Sequence, residues 1–169
     1  MLKGVNIMKE KFLEDGDFIV SKTDLKGVIT YGNDKFIAMS GYSEGELLGA
    51  PHNILRHKDM PKIVFKFLWD RVQSKEEIFA YVKNRCKNGD FYWVFTNVSA
   101  SLDKNGNIIG YYSVRRKPNP KAIQTIAPIY QELLNTEKIS GVEASHQQLL
   151  DVLNKNEVTY DEFIANIQE

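Results

Sequence analysis

Three runs of β-branched and aromatic residues, joined by two short turns, most constrain what this chain can fold into. The runs are Ile78 to Arg85, Phe91 to Ala100 and Ile108 to Arg115. The connectors 87–90 and 103–107 each contain an Asn-Gly pair, which hairpins favour because both residues tolerate a positive φ. Two such connectors in succession predict three consecutive antiparallel strands.

The segment before these strands completes the pattern of an α+β fold. Phe18 to Thr23 and Val28 to Tyr31 are strand-like and flank a turn at 24–27, so they predict an opening hairpin. From 33 to 75 the strand signal stops and glycines and prolines separate short helical pieces; Met60-Pro61 begins the longest one. We therefore expect a five-stranded antiparallel sheet with helices on one face.

Both ends of the chain show helical patterns. Ile7 to Leu13 carries a rough apolar stripe, which predicts a short amphipathic N-terminal helix. After 118–120 the strands cease, and 122–135, 144–154 and 160–167 favour helices whose apolar faces should pack on the sheet or on a partner. The expected organisation is an N-terminal cap helix over 1–16, a central domain over 17–118 and a helical extension over 119–169.

Composition limits the possible partners and location. The chain has 22 basic and 22 acidic side chains, so no broad positive field favours nucleic acid as a partner. A single cysteine, Cys86, excludes an intramolecular disulfide framework and points to a cytoplasmic protein. No stretch approaches the roughly 20 apolar residues of a membrane helix, so direct membrane insertion is not expected.

The loop from Pro51 to Pro61 concentrates groups that could bind an anion or a polar ring. It contains His52, Arg56, His57 and Asp59 between two prolines. The residues also allow plainer interpretations: Arg56 and Asp59 as a surface ion pair, and the histidines as loop residues without a ligand. Likewise, Trp69 could be a core residue and Asn84 could merely pair across the sheet.

At the residue level, this loop and several further segments closely resemble the PAS domain of bacterial aerotaxis receptors, which holds FAD. The resemblance spans about Phe18 to Leu134. The further matching segments are Thr23-Asp24-Leu25, Asn33-Asp34, Ser40-Gly41-Tyr42, Val82-Lys83-Asn84-Arg85, Lys87-Asn88-Gly89-Asp90, Tyr92-Trp93-Val94 and Gly110-Tyr111.

The resemblance implies a set of FAD-binding residues. They are Arg56, His57 and Asp59 from the loop, then His52, Trp69 and Asn84 as pocket residues, with Asn33 as a weaker match. An asparagine amide such as that of Asn84 offers both a donor and an acceptor to the edge of the flavin ring. Arg56 could meet the pyrophosphate with paired donors, and Trp69 or His52 could stack on the adenine.

The resemblance also implies a sensor and not an enzyme. We expect a stand-alone PAS protein that relays the flavin's redox state to a membrane chemoreceptor-type signalling protein in trans. The N-terminal helix is a candidate homodimer contact. Two alternatives stay open: a heme-binding PAS sensor with His52 or His57 as the axial ligand, and a cofactor-free interaction module.

Other cofactor chemistries fit the sequence poorly. Light-sensing relatives form an adduct through a cysteine, but His52 occupies the corresponding position here, and Cys86 lies in another segment. A zinc site needs three or four ligands, which one loop does not supply. The tail from 154 to 163 lacks the acidic ladder of a calcium loop, and Thr159 with Glu162 has instead the spacing of a helix-capping box.

Overall fold

A computed structural model describes residues 8–169, and it confirms the α+β fold and the five-stranded antiparallel sheet. The strands follow the predicted runs closely, and the two Asn-Gly turns fix where β3, β4 and β5 connect. They are β1 Ile19–Thr23, β2 Ile29–Gly32, β3 Ile78–Arg85, β4 Phe91–Leu102 and β5 Ile108–Arg116.

The strand order is β2-β1-β5-β4-β3, so the last strand in sequence lies at the centre of the sheet. Ser21 of β1 pairs with Ser113 of β5, and Arg115 of β5 pairs with Thr96 of β4. Directly paired residues point to the same face of a sheet, and so do residues two apart. This register therefore gathers four polar side chains from three strands on one face.

The helices between β2 and β3 cover that inner face. They are α1 Asp34–Ser40, α2 Glu44–Leu47, a 3-10 helix over His52–Leu55 and α3 Lys62–Gln73. Helix α3 begins directly after Pro61, as predicted, and buries Ile63, Val64, Leu68 and Val72. Phe67 of the same helix packs edge-on against Tyr160 of the C-terminal extension at 4.7 Å between ring centroids.

Three C-terminal helices, α4 Pro120–Ser140, α5 Val142–Lys155 and α6 Tyr160–Gln168, pack around the β3 edge of the sheet. Tyr81 points to the face opposite the cavity and is fully buried, and its hydroxyl donates to Gln168 Oε1 at 2.9 Å. The Tyr130 hydroxyl donates to the backbone oxygen of Tyr81 at 2.9 Å. The C-terminal helices therefore pack on the sheet, one of the two alternatives expected from their apolar faces, and cover part of its second face.

Helix α4 ends later than predicted because its last turn has a tertiary role. The Glu137 carboxylate accepts hydrogen bonds from the backbone N–H groups of Lys62 and Ile63, at 2.9 and 2.8 Å. Pro61, the residue before α3, has no capping side chain, so Glu137 supplies the missing acceptor. This contact extends α4 beyond the apolar stripe that the sequence shows.

The N-terminal helix is wrong over its described part. Residues 8–13 form no helix, and Lys9 and Lys11 exchange backbone hydrogen bonds of 3.0 and 2.8 Å with Phe91 at the start of β4. Of the apolar residues there, Leu13 is buried, whereas Phe12 is 72% exposed. Pairing with Phe91 thus replaces the helical hydrogen bonds, and the rest of the predicted helix, 1–7, lies outside the described residues.

Within residues 8–169, none of the helices combines the length and the apolar character needed to cross a bilayer.

Candidate functional site

A cavity of about 410 Å³ lies between the inner face of the sheet and the helices that cover it. Its inner end is polar and its mouth is more exposed. The inner end is lined by Ser21, His52, Asn84, Thr96, Ser113 and Arg115. The mouth is lined by Leu25, Lys26, Asn53, Arg56, Phe65 and Trp69. A cavity of this volume falls in the range of small-molecule and cofactor sites.

The 3-10 helix and the β1–β2 turn hold His52 at the inner end. The backbone N–H of His52 donates to Gly27 O at 2.9 Å, and its ring stacks on Phe36 at 6.0 Å. Its Nε2 lies 3.1 Å from Ser21 Oγ. Burial, with the positive charges of Arg115 and Arg56, lowers the pKa of His52 to about 3. The imidazole is therefore neutral at physiological pH.

Arg56 and Asn84, both predicted site residues, are brought together by a backbone bridge between the loop and β3. The Asn84 side chain is 5% exposed and faces the cavity. The Arg56 guanidinium lies over the Phe65 ring at 4.0 Å and remains partly open to solvent at the mouth. Asn84 thus presents an amide to the interior, whereas Arg56 presents a cation at the mouth.

Trp69 forms a wall of the mouth. Its ring meets Tyr111 edge-on at 5.0 Å between centroids. A Cβ on Gly27 would lie 3.5 Å from the indole, and the φ of +78° at this turn also favours glycine. Trp69 therefore packs against the core and also lines the cavity, so it combines the two interpretations made from the sequence, a core residue and a pocket residue.

His57 and Asp59 do not line the cavity. His57 is 3% exposed and meets Phe91 edge-on at 5.8 Å, and burial with the charge of Lys83 lowers its pKa. Asp59 pairs with Lys83 Nζ at 2.7 Å, so the surface ion pair between Arg56 and Asp59 does not form. Burial alone would raise the pKa of Asp59, but the Lys83 contact holds it below its usual value.

Asn33 also lies away from the cavity. Its Oδ1 accepts hydrogen bonds from the backbone N–H groups of Val20 and Phe36, both at 3.0 Å. Its Nδ2 donates to Phe18 O at 2.9 Å. Asn33 therefore caps α1 and fixes that helix to β1, a strand that contributes to the cavity wall, but does not itself line the cavity.

A model of the PAS fold matches residues 29–115 of this chain. The chain belongs to the PAS-fold family. A curated relative of this PAS chain is the aerotaxis receptor of Escherichia coli (strain K12), 42% identical over 121 residues, which cover 72% of this chain and 24% of that protein. A nitrogen fixation regulatory protein of Klebsiella pneumoniae is 24% identical and covers 62% of this chain and 21% of its own length. The chain spans about a quarter of the curated relatives it matches.

Solved structures agree on the fold. A light-oxygen-voltage domain studied with a flavin analogue superposes with a TM-score of 0.58 at 20% identity, covering 66% of this chain and 83% of its own. A PAS domain from Colwellia psychrerythraea gives 0.55 at 20% identity, covering 59% and 85%. The resemblance stated from sequence is confirmed, and the PAS chain is a signal-sensor domain by family.

The sequence did not single out Arg115, which is the most unusual residue of this PAS cavity. It is 2% exposed; one nitrogen, Nη2, donates to Ser21 Oγ, and the guanidinium lies over the Phe36 ring at 4.8 Å. Among residues 8–169, no acceptor pairs with its Nε or Nη1. The alternation of Tyr111, Ser113 and Arg115 along β5 was the available signal, because it places an arginine on the buried face.

Cys86 is remote from the cavity lining. Its thiol donates to Met39 O at 3.2 Å, and burial raises its pKa, so it is a packed structural side chain. In the part of the chain that the structure describes, no three His, Cys, Asp or Glu side chains are grouped as metal ligands would be.

Proposed function

We propose that this PAS domain binds FAD and passes the redox state of the flavin to a chemotaxis-type signalling partner. The observation that carries the proposal is the cavity itself, whose inner end combines the amide of Asn84 with unpaired donors of Arg115. Buried donors without acceptors are costly, so the cavity suits a ligand that presents acceptors there.

The residues present fit a flavin. The flat ring needs apolar walls, and Leu68, Val72, Val82, Val98 and Tyr111 supply them. Its polar edge alternates acceptors with a donor, which Asn84 and Arg115 can match. The pyrophosphate is strongly hydrated and suits the exposed mouth, where Arg56 and Lys26 carry positive charge. When bound, the flavin would supply reversible electron uptake, and the chain's own residues would only bind and orient it.

The comparisons support the same choice. A relative 42% identical is an aerotaxis receptor, and a structural neighbour is a light-oxygen-voltage domain studied with a flavin analogue. The geometry favours heme less, because His57 lies outside the cavity and His52 directs its Nε2 to Ser21. His52 would have only its other ring nitrogen for a metal.

Strand β3 is the proposed route for the signal. Asn84 faces the cavity, and Tyr81, three residues earlier, faces α4 and α6. A change in the hydrogen bonds of Asn84, of order 1 to 3 kcal/mol, is large enough to bias a two-state element. The C-terminal helices would carry the change to a membrane chemoreceptor-type protein in trans. The homodimer contact through residues 1–16 stays a prediction.

The absorbance spectrum of the purified chain, followed by titration with FAD, tests the proposal. Flavin bands and a saturable shift on adding FAD are expected. A Soret band would establish heme instead, and a colourless protein that takes up no FAD would leave an interaction module. No flavin binding at any concentration tested overturns the proposal.

Hydrogen exchange tests the route separately. Reduction of the bound flavin by dithionite should change amide protection in 120–169, with the largest change at the contacts of Tyr81. Tyr81→Phe removes the hydroxyl bond to Gln168 and should reduce that response while leaving FAD binding intact. Unchanged protection on reduction would contradict the β3 route but not FAD binding.

A further inference from the structure

Arg115 carries a positive charge that the rest of the described chain does not balance. The guanidinium is 2% exposed, and no carboxylate of residues 8–169 forms an ion pair with it. Ser21 and Phe36 offer one hydroxyl acceptor and one aromatic face, and both are uncharged. Burying an unbalanced charge is expensive, so such a residue indicates that an anionic group belongs beside it.

The position of Arg115 indicates which part of a ligand would meet it. It stands at the inner end with Ser21 and Thr96, which are equally buried, whereas the mouth has its own cation in Arg56. A pyrophosphate keeps its charge in every redox state and suits the hydrated mouth. The flavin ring suits the buried interior, and it is neutral when oxidised.

We propose that Arg115 is the counter-charge for the reduced flavin ring, so that the cavity binds reduced FAD more tightly than oxidised FAD. This inference rests on the proposed function. Two electrons and one proton added to the oxidised ring place the proton on N5 and leave one negative charge along the N1 and C2 carbonyl edge. A buried cation attracts that anion far more strongly than it attracts the neutral ring, because little water screens the pair. The electrons come from an external reductant, which is dithionite in the test.

The wild-type chain gives the first measurement. Its dissociation constant for dithionite-reduced FAD, measured without oxygen, should be at least tenfold lower than that for oxidised FAD. By the thermodynamic cycle, tenfold corresponds to a two-electron midpoint potential about 30 mV above that of free FAD. Equal affinities for the two redox states would overturn the inference.

Arg115→Gln and Arg116→Gln form a matched pair. Both remove one arginine from the end of β5, but Arg116 lies on the opposite face, over the Phe95 ring at 5.0 Å. Arg115→Gln should weaken the binding of reduced FAD at least tenfold and that of oxidised FAD less than threefold, whereas Arg116→Gln should change neither. Arg115→Lys, which keeps the charge, should keep most of the preference for reduced FAD.

The outcomes separate this inference from the proposed function. If Arg115→Gln weakens both redox states equally, Arg115 meets a fixed anion such as the pyrophosphate, and the inference is wrong while FAD binding stands. If the wild-type chain binds FAD in neither state, both fail. Should Arg115→Gln not fold, the wild-type affinity ratio and Arg115→Lys still decide.

Discussion

At the scale of single residues, the cavity places a histidine that stays neutral beside an arginine that stays charged. His52 and Arg115 both approach Ser21, and burial disfavours the charged form of each. Arginine keeps its proton because burial lowers its pKa only to about 10. Histidine loses its proton because its ordinary pKa is already near neutrality, and the adjacent guanidinium lowers it further.

This arrangement predicts a contribution of His52 to the pH dependence of stability, which a comparison with His52→Gln isolates. Its pKa is about 3 in the folded chain and about 6.5 when unfolded. Below pH 6.5 the unfolded chain therefore binds a proton that the folded chain excludes, and stability falls as the pH falls. Between about pH 6 and 3, the wild type should lose about 1.4 kcal/mol more per pH unit than His52→Gln. Urea unfolding at a series of pH values measures this difference.

The carboxylates titrate in both proteins, so the comparison cancels them. Parallel pH profiles for wild type and His52→Gln would show that His52 is not held neutral by its surroundings.

At the scale of elements, contacts between residues distant in sequence decide the helix ends and caps that the local sequence pattern does not determine. The strands were predictable because Asn88-Gly89 and Asn105-Gly106 define turns locally. Over residues 8–13 the predicted N-terminal helix was wrong, because pairing with Phe91 outweighs a weak apolar stripe. The cap that Glu137 places on α3 was invisible in sequence, since 74 positions separate Glu137 from Ile63.

That cap predicts a stability effect. Glu137→Ala removes the acceptor for two backbone N–H groups at the start of α3 and a negative charge that favours a helix N-terminus. The free energy of unfolding should fall by about 1–2 kcal/mol in urea. Glu132→Ala, at an exposed position of the same helix, should change it by less than about 0.5 kcal/mol. Equal effects for the two substitutions would remove the capping role.

The resemblance located part of the candidate cavity but not all of its lining. The resemblance named His52, Arg56, Trp69 and Asn84, and the structure places all four on the cavity. It also named His57, Asp59 and Asn33, which the structure places behind the cavity wall. Arg115 was missed because an arginine on a strand is ordinarily exposed. The alternation along β5 places Arg115 on the same face as Tyr111 and Ser113, but its depth in the sheet depends on the register of β5 between β1 and β4, which a single sequence does not reveal.

At the scale of the whole molecule, ligand binding should raise the free energy of unfolding. A ligand that binds only the folded chain adds about 2.7 kcal/mol when its concentration is 100 times its dissociation constant. Oxidised FAD at that excess should therefore raise the unfolding free energy of the wild type by about this amount.

Asn84→Leu should lose most of that gain at the same FAD concentration, since an apolar group replaces the cavity-lining amide that we propose meets the flavin ring. Asn97→Leu is the matched control: it makes the same change on the face of the sheet away from the cavity, where Asn97 pairs with Val114 and Phe79. Thermal or urea unfolding with and without FAD measures both. Retention of the full gain in Asn84→Leu would remove Asn84 from the binding site.

The central position of β5 has a consequence for folding of the chain during its synthesis on the ribosome. A growing chain can form the β1–β2 hairpin early, but its cavity has no floor until Ser113 and Arg115 have emerged and inserted between β1 and β4. Pairing of segments so distant along the chain is slow. The cavity of the nascent protein should therefore form in one late folding step, when β5 inserts between β1 and β4.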